Sequence, residues 1–402
     1  MHVGIDLTPL RPPFTGVSNY ELHMLAALLP RLPELRLSGF TGLGWRTVDA
    51  ALLARVAEAA GKREGADPAP PPGARGRLTA GARRLVRAVP ALHAGYAALQ
   101  AALYRRSAER LRPRFFHAIK YRAPGPSRVP VLPLIHDLSH LRFPESHPAS
   151  RLRWMEPVAE ITRAAPLVHT VSQFSRREIV ELLGVPAERI VVAPPGVAPI
   201  YWTAPSSKAA TLARHGLAEG RFALVVSTLE PRKNLATLVA AYERLPGVSR
   251  ARLPLCVAGA VGWGDLALPP ATESLRQEGS LRFLGYVRDG ELRDLYASTA
   301  LMLYPSLYEG FGMPVTEALA CGAPVAASDA ASLPEALGEA GRLIPPRDVE
   351  GWSEALRSAV DAAPDAGRGG EAERERRRAQ ARRFTWEGNA AIVEGIYRRL
   401  AG

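Results

Sequence analysis

The sequence predicts an α/β protein of two domains, each built on a parallel sheet. The chain has 402 residues, a length typical of about two or three domains. Short apolar runs alternate along it with segments of helical periodicity, as in the βα units of parallel sheets. A Pro/Ser-rich stretch at 204–208 separates two such series. We therefore expect an N-terminal domain over 1–203 and a C-terminal domain over 204–383, with ligands bound between them at the carboxyl ends of the strands.

The first half carries four predicted buried strands, Val3–Leu7, Pro130–Ile135, Leu167–Val171 and Ile190–Ala193. A Pro/Gly-rich loop, Thr8–Gly16, follows the first of them. Ser18 or Asn19 is then expected to cap a helix that runs to Leu29, because hydroxyl and amide side chains are preferred at that position. A further helix is expected from Ser172 through Leu183.

The second half carries five predicted strands, Phe222–Thr228, Leu255–Ala258, Leu281–Phe283, Ala300–Tyr304 and Pro324–Ala327. Its predicted helices are Leu235–Leu245, Glu291–Ser298, Pro314–Ala320 and Gly351–Ala362. A polar, Arg/Glu-rich stretch, Asp365–Arg383, precedes a last helix near Trp386–Leu400. We expect this last segment, 384–402, to pack back on the N-terminal domain.

The formal net charge of +12 comes from one segment, residues 62–128. That segment holds 15 Lys and Arg against three acids, whereas the rest of the chain carries 36 basic and 36 acidic residues. We expect basic helices there, one including Leu78–Val89 and one over Ala91–Leu111. Such helices bind anionic membrane surfaces or anionic ligands. The alternative is a solvated helix face whose arginines offset the helix dipole. We expect no nucleic acid partner, because aromatic residues that stack on bases are nearly absent there.

Composition excludes several other classes of protein. Hydrophobic residues make up 47% and charged residues 22%, as in globular rather than disordered or fibrous chains. No apolar run approaches the ~18 residues that span a bilayer, and the start Met1–Asp6 does not read as a secretory signal. Two cysteines, Cys256 and Cys321, indicate neither a disulfide framework nor a zinc site. We therefore expect a reduced, cytoplasmic environment.

The most informative segment is 308–317, Tyr-Glu-Gly-Phe-Gly-Met-Pro-Val-Thr-Glu, between a predicted strand and a predicted helix. Pro314 suits the first helical position, where its missing N–H costs nothing. The two glycines allow the backbone to approach a ligand, and the free amides at the helix start favour an anion. Glu309 and Glu317 then flank an anion site, which suits recognition of sugar and ribose hydroxyls. The alternative is a simple strand–turn–helix with an exposed Glu309.

A second segment, 228–235, also joins a predicted strand to a helix, with Asn234 expected as the helix cap. Arg232 and Lys233 stand just before that helix, where adjacent cations oppose the helix dipole and are locally unfavourable. A bound diphosphate would neutralise them. The alternative is a pair of solvated surface cations.

These segments resemble the family 4 retaining glycosyltransferases, which have the GT-B fold of two Rossmann-like domains facing each other across a deep cleft. The resemblance rests on the Glu309–Glu317 pair, on Glu-Pro-Arg-Lys-Asn at 230–234 and on Pro-Gly-Val at 195–197. Segments similar to bacterial mannosyltransferases of O-antigen and other surface polysaccharides are 135–137, 259–264 and 283–287. The similarity covers most of 1–30, 130–200 and 221–345 with the Trp386 helix, and it is weak over 40–125.

The resemblance implies a role for each matching residue. Arg232 and Lys233 would hold the donor pyrophosphate and stabilise its growing charge, Glu309 would bind the transferred sugar, and His136 would face that sugar across the cleft. Glu317 would bind the ribose of the donor, and the loop of Gly285, Tyr286 and Val287 would border its nucleobase. The amides of Phe311, Gly312 and Met313 would contact the sugar or phosphate, and Gly310 is also assigned to donor binding. Gly16 lies in the first loop, where the family often carries a glycine pair and this chain has only Thr15-Gly16-Val17. Asp137 would orient His136 or contact the acceptor, and Arg83, Arg84 and Arg87 are assigned to the acceptor or a membrane.

The resemblance also implies the reaction. We expect a hexosyl group, mannose or a related deoxyhexose, to move with retention from a nucleotide-diphosphate sugar, with GDP-mannose favoured, to a lipid-linked or polysaccharide acceptor. No metal or other cofactor is expected, and the chain contains no Asp-x-Asp triplet. We expect the enzyme in the cytoplasm, with attachment to the inner leaflet as an open alternative. A GT-B epimerase, a glycan phosphorylase and a non-catalytic sugar-binding protein are the alternatives in function.

Overall fold

The computed structural model describes residues 1–11, 14–60, 90–205, 207–362 and 369–402. In the first half the strands are β1 (His2–Asp6), β2 (Arg36–Phe40), β3 (Trp45–Thr47), β4 (Phe116–Ala118), β5 (Val131–Ile135), β6 (Val168–Thr170) and β7 (Ile190–Val192). The helices of this half are α1 (Gly16–Leu28), α2 (Ala50–Ala59), α3 (Pro90–Leu111), α4 (Ser139–Arg142), α5 (Ala149–Met155), α6 (Val158–Ala164) and α7 (Gln173–Leu183).

The second half continues the alternation of strands and helices. Its strands are β8 (Ala223–Val226), β9 (Leu255–Ala258), β10 (Leu281–Gly285), β11 (Leu301–Tyr304), β12 (Val325–Ser328) and β13 (Arg342–Ile344). Its helices are α8 (Lys208–Arg214), α9 (Leu235–Glu243), α10 (Gly247–Arg252), α11 (Thr272–Gln277), α12 (Asp289–Ser298), α13 (Met313–Ala320), α14 (Leu333–Leu337), α15 (Val349–Asp361), α16 (Glu371–Ala381) and α17 (Trp386–Ala401).

Two sheets organise these elements. The first has the strand order β3-β2-β1-β4-β5-β6-β7, parallel throughout except for the β2–β3 pair. The second has the order β10-β9-β8-β11-β12-β13, parallel throughout. Inner strands such as β9 and β11 are continuous apolar runs, as expected where helices cover both faces of a parallel sheet; all four residues of β9 are buried. The predicted α/β fold class is confirmed.

Every strand predicted from the sequence is present, most with bounds shifted by one or two residues. Four strands were not predicted, namely β2, β3, β4 and β13. Two of them, β3 and β13, are three-residue strands at sheet edges, where few side chains are buried and the apolar signal is weak. The polar stretch after residue 364 also contains a helix, α16.

The start of α1 differs from the prediction. The helix begins at Gly16 with Thr15 at the capping position, so neither Ser18 nor Asn19 is the cap. Ser18 instead lies one turn inside, where its Oγ accepts from the Thr15 N–H at 3.0 Å. This is a reciprocal capping arrangement, in which the third helical residue bonds back to the cap.

The last helix, α17, lies against the first half of the chain. The Tyr397 hydroxyl and Nδ1 of His117 are 2.9 Å apart, and the Asn389 side-chain amide donates to the Tyr20 hydroxyl at 2.9 Å. His117 Nε2 and His169 Nδ1 are 3.1 Å apart, so two strands share this buried polar network. Burial lowers the pKa of His117 to about 3, and the ring is therefore neutral.

The basic segment is only partly described. Its second predicted helix is confirmed as α3, which packs through the buried Tyr104 on Phe40 and Phe116. Residues 61–89, with Arg83, Arg84, Arg87 and the other predicted basic helix, lie outside the described residues. Across the described ranges, no helix combines the length and apolar character needed to cross a membrane.

Candidate active site

The candidate site lies where β8 and β11 end side by side. These two strands are neighbours in the sheet. The strands that follow β8 in the sequence, β9 and β10, extend the sheet on one side of the pair, and those that follow β11, β12 and β13, extend it on the other side. Such a switch point opens a crevice at the carboxyl ends of the strands, where ligands of these sheets bind. The turn Pro231–Lys233 follows β8, and the loop that contains Glu309 follows β11.

The turn and the loop meet in a buried cluster of charges. Glu309 Oε1 lies 2.5 Å from Lys233 Nζ, and its Oε2 lies 3.1 Å from Arg232 Nη1. Arg232 also donates to the Tyr308 carbonyl at 2.8 Å and pairs through Nη2 with Glu230 Oε1 at 2.7 Å. Glu309 and Lys233 are both buried. The structure therefore brings together three of the predicted catalytic residues, and the interpretation of Arg232 and Lys233 as solvated surface cations is wrong.

Electrostatics keep the cluster ionised. Burial raises the pKa of Glu309, but the neighbouring charges of Lys233 and Arg232 outweigh burial and bring it to about 2. Burial and the adjacent Arg232 lower the pKa of Lys233, while Glu309 opposes that shift. Burial opposes the charged form of Arg232 too, but Glu309 and Glu230 raise its pKa. The result is a carboxylate held between two cations at the floor of the crevice.

Asn234 lies at the predicted cap position but does not cap α9 through its side chain. Its backbone is left-handed, with φ 57°. The side-chain amide donates instead to the carbonyl oxygens of Pro305 and Pro346, at 3.0 and 2.6 Å. Asn234 thus ties the Arg232–Lys233 turn to the segment that follows β11.

The helix start at Met313 presents the second predicted carboxylate. Gly312 precedes the helix with φ 100°, a conformation that favours glycine. The helix begins at Met313, so Pro314 occupies its second position and not its first. Phe311 is buried, and Glu317 is buried with its Oε2 3.5 Å from the Tyr296 hydroxyl of α12.

The remaining donor-site predictions lie at other strand ends. Gly285 closes β10 with φ 70°, and its carbonyl accepts from the Gly259 N–H at 2.7 Å. Tyr286 beside it is 60% exposed and Val287 is buried. Gly16 opens α1 in the first half, with open space where a side chain would stand. The contacts of these residues with a donor stay predictions.

His136 meets the Glu309 loop from the other half of the chain. It follows β5, and a Cβ placed on Gly310 would lie 2.1 Å from the His136 carbonyl oxygen. Ser175 Oγ is 3.1 Å from that carbonyl and 3.3 Å from the Gly310 carbonyl, so it bridges the two halves. Only glycine permits this close approach.

The His136 ring is a neutral hydrogen-bond acceptor. Its Nε2 is 3.1 Å from the Ile119 carbonyl, which can only accept, so Nε2 carries the proton. Burial lowers the pKa of the ring to about 4, although Asp137 opposes the shift. Nδ1 is therefore left as the acceptor nitrogen. Tyr20 and Tyr121 contact the ring edge-on at 5.6 and 5.9 Å and fix its orientation.

Asp137 does not orient His136 in this structure. Its carboxylate accepts from the Ser139 N–H at 3.0 Å and from the Ser139 hydroxyl at 2.7 Å. Burial raises the pKa of Asp137, but Arg232 and the Ser139 hydrogen bonds lower it to about 2. Asp137 is thus an ionised carboxylate that faces Arg232 from the other half, and its contact with an acceptor stays a prediction.

Tyr308 was not predicted as a site residue. Its hydroxyl accepts from the Leu138 N–H at 3.2 Å and donates to Glu178 Oε2 at 3.1 Å. Phe143 and Phe174 pack edge-on against its ring. All four partners belong to the first half, so Tyr308 anchors the neighbouring Glu309 to that half. The only feature of the sequence that could have identified Tyr308 as a site residue is its position directly before Glu309. The four residues that it contacts are 130 or more positions away in the sequence.

Trp263 makes a further contact between the halves. Its indole N–H donates to the Ser146 carbonyl at 2.9 Å, and the Arg151 guanidinium lies 5.0 Å from its ring centre. Among the described residues, no group of three or more His, Cys, Asp or Glu side chains is arranged to hold a metal ion.

Two Rossmann-like domains that meet at a Glu309–Glu317 loop, with cations from the neighbouring strand end, define a GT-B glycosyltransferase. The model of "Glycosyl transferases group 1" matches residues 209–382, and that of "Glycosyltransferase Family 4" matches residues 56–199. The chain belongs to the family 4 glycosyltransferases and is a hexosyltransferase.

Individual relatives agree with this assignment. The chain is 36% identical to O-antigen chain mannosyltransferase B of Escherichia coli over 412 residues, which cover 100% of both proteins. It is 32% identical to the serotype-specific mannosyltransferase WbdA of Escherichia coli over 54% of this chain and 27% of that protein. HepE of Anabaena, solved in complex with UDP-glucose, has a TM-score of 0.66 at 20% identity, with 99% of each chain covered. This last likeness shows the fold.

Proposed function

We propose that the protein is a retaining mannosyltransferase that uses a nucleotide-diphosphate sugar, GDP-mannose favoured, and a lipid-linked or polysaccharide acceptor of surface glycan synthesis. The observation that carries the proposal is the Glu309 carboxylate held between Lys233 and Arg232, at 2.5 and 3.1 Å, opposite His136. The full-length similarity to an O-antigen mannosyltransferase supports mannose as the transferred sugar.

The two cations suit a diphosphate leaving group. Charge grows on the leaving phosphate as its bond to the sugar breaks, and preorganised cations in a buried site stabilise that charge strongly. When the donor binds, Arg232 and Lys233 form ion pairs with phosphate oxygens and give up part of their ion pairing with Glu309. The carboxylate so released accepts hydrogen bonds from hydroxyls of the transferred hexose.

The neutral His136 suits the sugar rather than the phosphate. Its acceptor Nδ1 receives a hydrogen bond from a hexose hydroxyl, while its protonated Nε2 stays on the Ile119 carbonyl. For retention, the acceptor hydroxyl attacks C1 from the face that the diphosphate leaves. The C1–O bond to phosphate breaks, the new C1–O bond forms, and the acceptor proton passes to the departing diphosphate.

The cations also replace a metal ion in this proposal. Other glycosyltransferases neutralise the leaving diphosphate with a divalent ion, a Lewis acid in the sense of metal-ion catalysis. In this protein the fixed charges of Arg232 and Lys233 would neutralise the leaving diphosphate instead. We infer that transfer continues in the presence of a chelator such as EDTA.

The test is transfer with a panel of GDP-, UDP- and dTDP-sugars and mannose oligosaccharides as acceptors, with the anomeric configuration of the product read by NMR. Transfer of mannose with retention, in EDTA, supports the proposal. Loss of most transfer in Glu309→Ala and Lys233→Ala, with unchanged circular dichroism, supports the assigned site. Donor conversion without acceptor indicates an epimerase, phosphate-dependent cleavage indicates a phosphorylase, and binding without turnover indicates a sugar-binding protein; each outcome overturns the proposal.

A further inference from the structure

A row of aromatic rings leads from His136 to the surface of the first half. The Tyr121 ring lies 5.9 Å from the His136 ring, and the Trp154 ring lies 6.5 Å from that of Tyr121. Tyr121 is buried, whereas Trp154, on α5, is 37% exposed. The row therefore begins beside the reacting centre and ends in solvent.

Arg122 adds a polar group at the outer end of the row. Its guanidinium carbon lies 5.2 Å from the centre of the Trp154 ring, a distance at which cation–π attraction holds it in place. No salt bridge engages Arg122 within the described part of the chain. Its N–H groups are thus positioned beside an exposed indole without a carboxylate to neutralise them.

The backbone that presents these side chains is unusual. Tyr121 has φ 63°, in the left-handed region that tyrosine rarely adopts. Such strained residues persist only where the surrounding structure enforces them, and they cluster at functional sites. The conformation places Tyr121 against His136 and puts Arg122 next to Trp154.

We propose that Trp154 and Arg122 form a subsite for the acceptor glycan, which binds sugars removed from the hydroxyl that receives the hexose, and that the buried Tyr121 holds the Trp154 ring in place. This inference rests on the proposed function. A hexose has an apolar face of C–H groups, which packs on an indole, and an edge of hydroxyls, which a guanidinium can bind. An aromatic surface with a few placed polar groups is the usual composition of a small-ligand site.

The separation of Trp154 from the reacting centre sets the length of the acceptor. The Tyr121 ring stands between those of His136 and Trp154, at 5.9 and 6.5 Å from them. A single hexose at the reacting centre therefore leaves Trp154 uncovered, whereas the further sugars of a longer acceptor extend to it. The subsite would make the enzyme prefer an acceptor that already carries several sugars.

Kinetics with α-linked mannose mono-, di- and trisaccharides at saturating donor test the proposal. We expect Trp154→Ala to raise KM for the trisaccharide about tenfold, which corresponds to 1.4 kcal/mol, and to leave KM for the donor and for mannose unchanged. Trp154→Phe should keep most of the trisaccharide affinity. Trp202→Ala is the matched control, because Trp202 is 38% exposed and also has an arginine, Arg382, 6.0 Å from its ring.

Two outcomes overturn the inference: the KM of Trp154→Ala for the trisaccharide equals that of the wild type, or Trp202→Ala raises this KM as much as Trp154→Ala does. If the KM of Trp154→Ala is unchanged and the variant also loses binding to anionic phospholipid vesicles, Trp154 is a membrane contact. Binding of mannotriose, measured by NMR without donor, is read in parallel. If the wild type transfers nothing with any donor, the proposed function fails, whereas loss of mannotriose binding only in Trp154→Ala still supports the subsite.

Discussion

Replacing Glu309 by Gln tests the charge cluster at the floor of the crevice. The side chain keeps its shape and loses its charge, so Lys233 and Arg232 lose the partner that lies 2.5 and 3.1 Å away. In the wild type the pKa of Glu309 falls from its ordinary 4.5 to about 2. At 1.36 kcal/mol per pKa unit, the charged form contributes about 3 kcal/mol to stability. Loss of one member of a buried ion pair costs a similar amount, about 3–5 kcal/mol.

We therefore expect the free energy of unfolding of Glu309→Gln, measured by urea denaturation at pH 7, to be about 3 kcal/mol below that of the wild type. The folded-state pKa lies below the unfolded one, so this contribution is complete above about pH 4.5 and is lost as the pH falls toward 2. The difference between the two proteins should shrink across that interval.

Stabilisation by guanosine diphosphate (GDP) tests whether the ion cluster is a phosphate-binding site or only supports the fold. A ligand that binds only the folded state at 100 times its Kd stabilises by about 2.7 kcal/mol. In the variant the phosphates need not displace a carboxylate from the cations, so GDP should stabilise Glu309→Gln more than the wild type at equal concentration. Equal stability of the two proteins, or weaker GDP binding by the variant, would refute the reasoning.

The control is Glu350→Gln, the same chemical change at a surface site. Glu350 pairs with Arg244 and Arg357 and is 63% exposed. Exposed ion pairs contribute little to stability because water and salt screen them. We expect the free energy of unfolding of Glu350→Gln, and its stabilisation by GDP, to equal those of the wild type.

Three further predictions concern the contact between the halves and the basic segment. Tyr308→Phe removes the hydrogen bonds to Leu138 and Glu178, so urea unfolding should show a loss of about 1–3 kcal/mol and kcat should fall; unchanged values for both would contradict the anchoring role. Gly310→Ala places a Cβ 2.1 Å from the His136 carbonyl oxygen. Because the loop or His136 must move to relieve this clash, kcat/KM should fall about 10²-fold. Gly395→Ala, with open space around the added Cβ, should have the activity of the wild type, and equal activity of the two variants would count against the contact. Replacement of Arg83, Arg84 and Arg87 by Glu should abolish co-sedimentation with anionic vesicles, since each charge contributes about 1 kcal/mol; unchanged sedimentation leaves an anionic acceptor or a solvated face.

The strands most predictable from sequence are unbroken runs of buried apolar residues. β9 and β11 are such runs, which periodicity identifies directly. β4 was not predicted although it is fully buried, and its central residue is His117. Its burial depends on Tyr397 and His169, partners 280 and 52 residues away, which only the folded chain brings close.

The same distinction holds for the candidate site. Glu309, Arg232 and Lys233 belong to local segments between strands and helices, and the structure brings them together as one cluster. The reach of Tyr308 into the other half and the Ser139 hydrogen bonds of Asp137 depend on how the halves meet. No local pattern encodes those contacts, so they required the structure.

The position of α17 bears on how the protein is made. The sheet that begins at His2 receives part of its cover from a helix that ends at Ala401. On the ribosome, domains generally fold in order from the N-terminus. Here His117 and Tyr20 gain their partners Tyr397 and Asn389 only when the helix Trp386–Ala401 emerges. The six-stranded sheet, complete at Ile344, can therefore form before the first half is closed, and a chain cut short before α17 leaves a buried pair of histidines open to water.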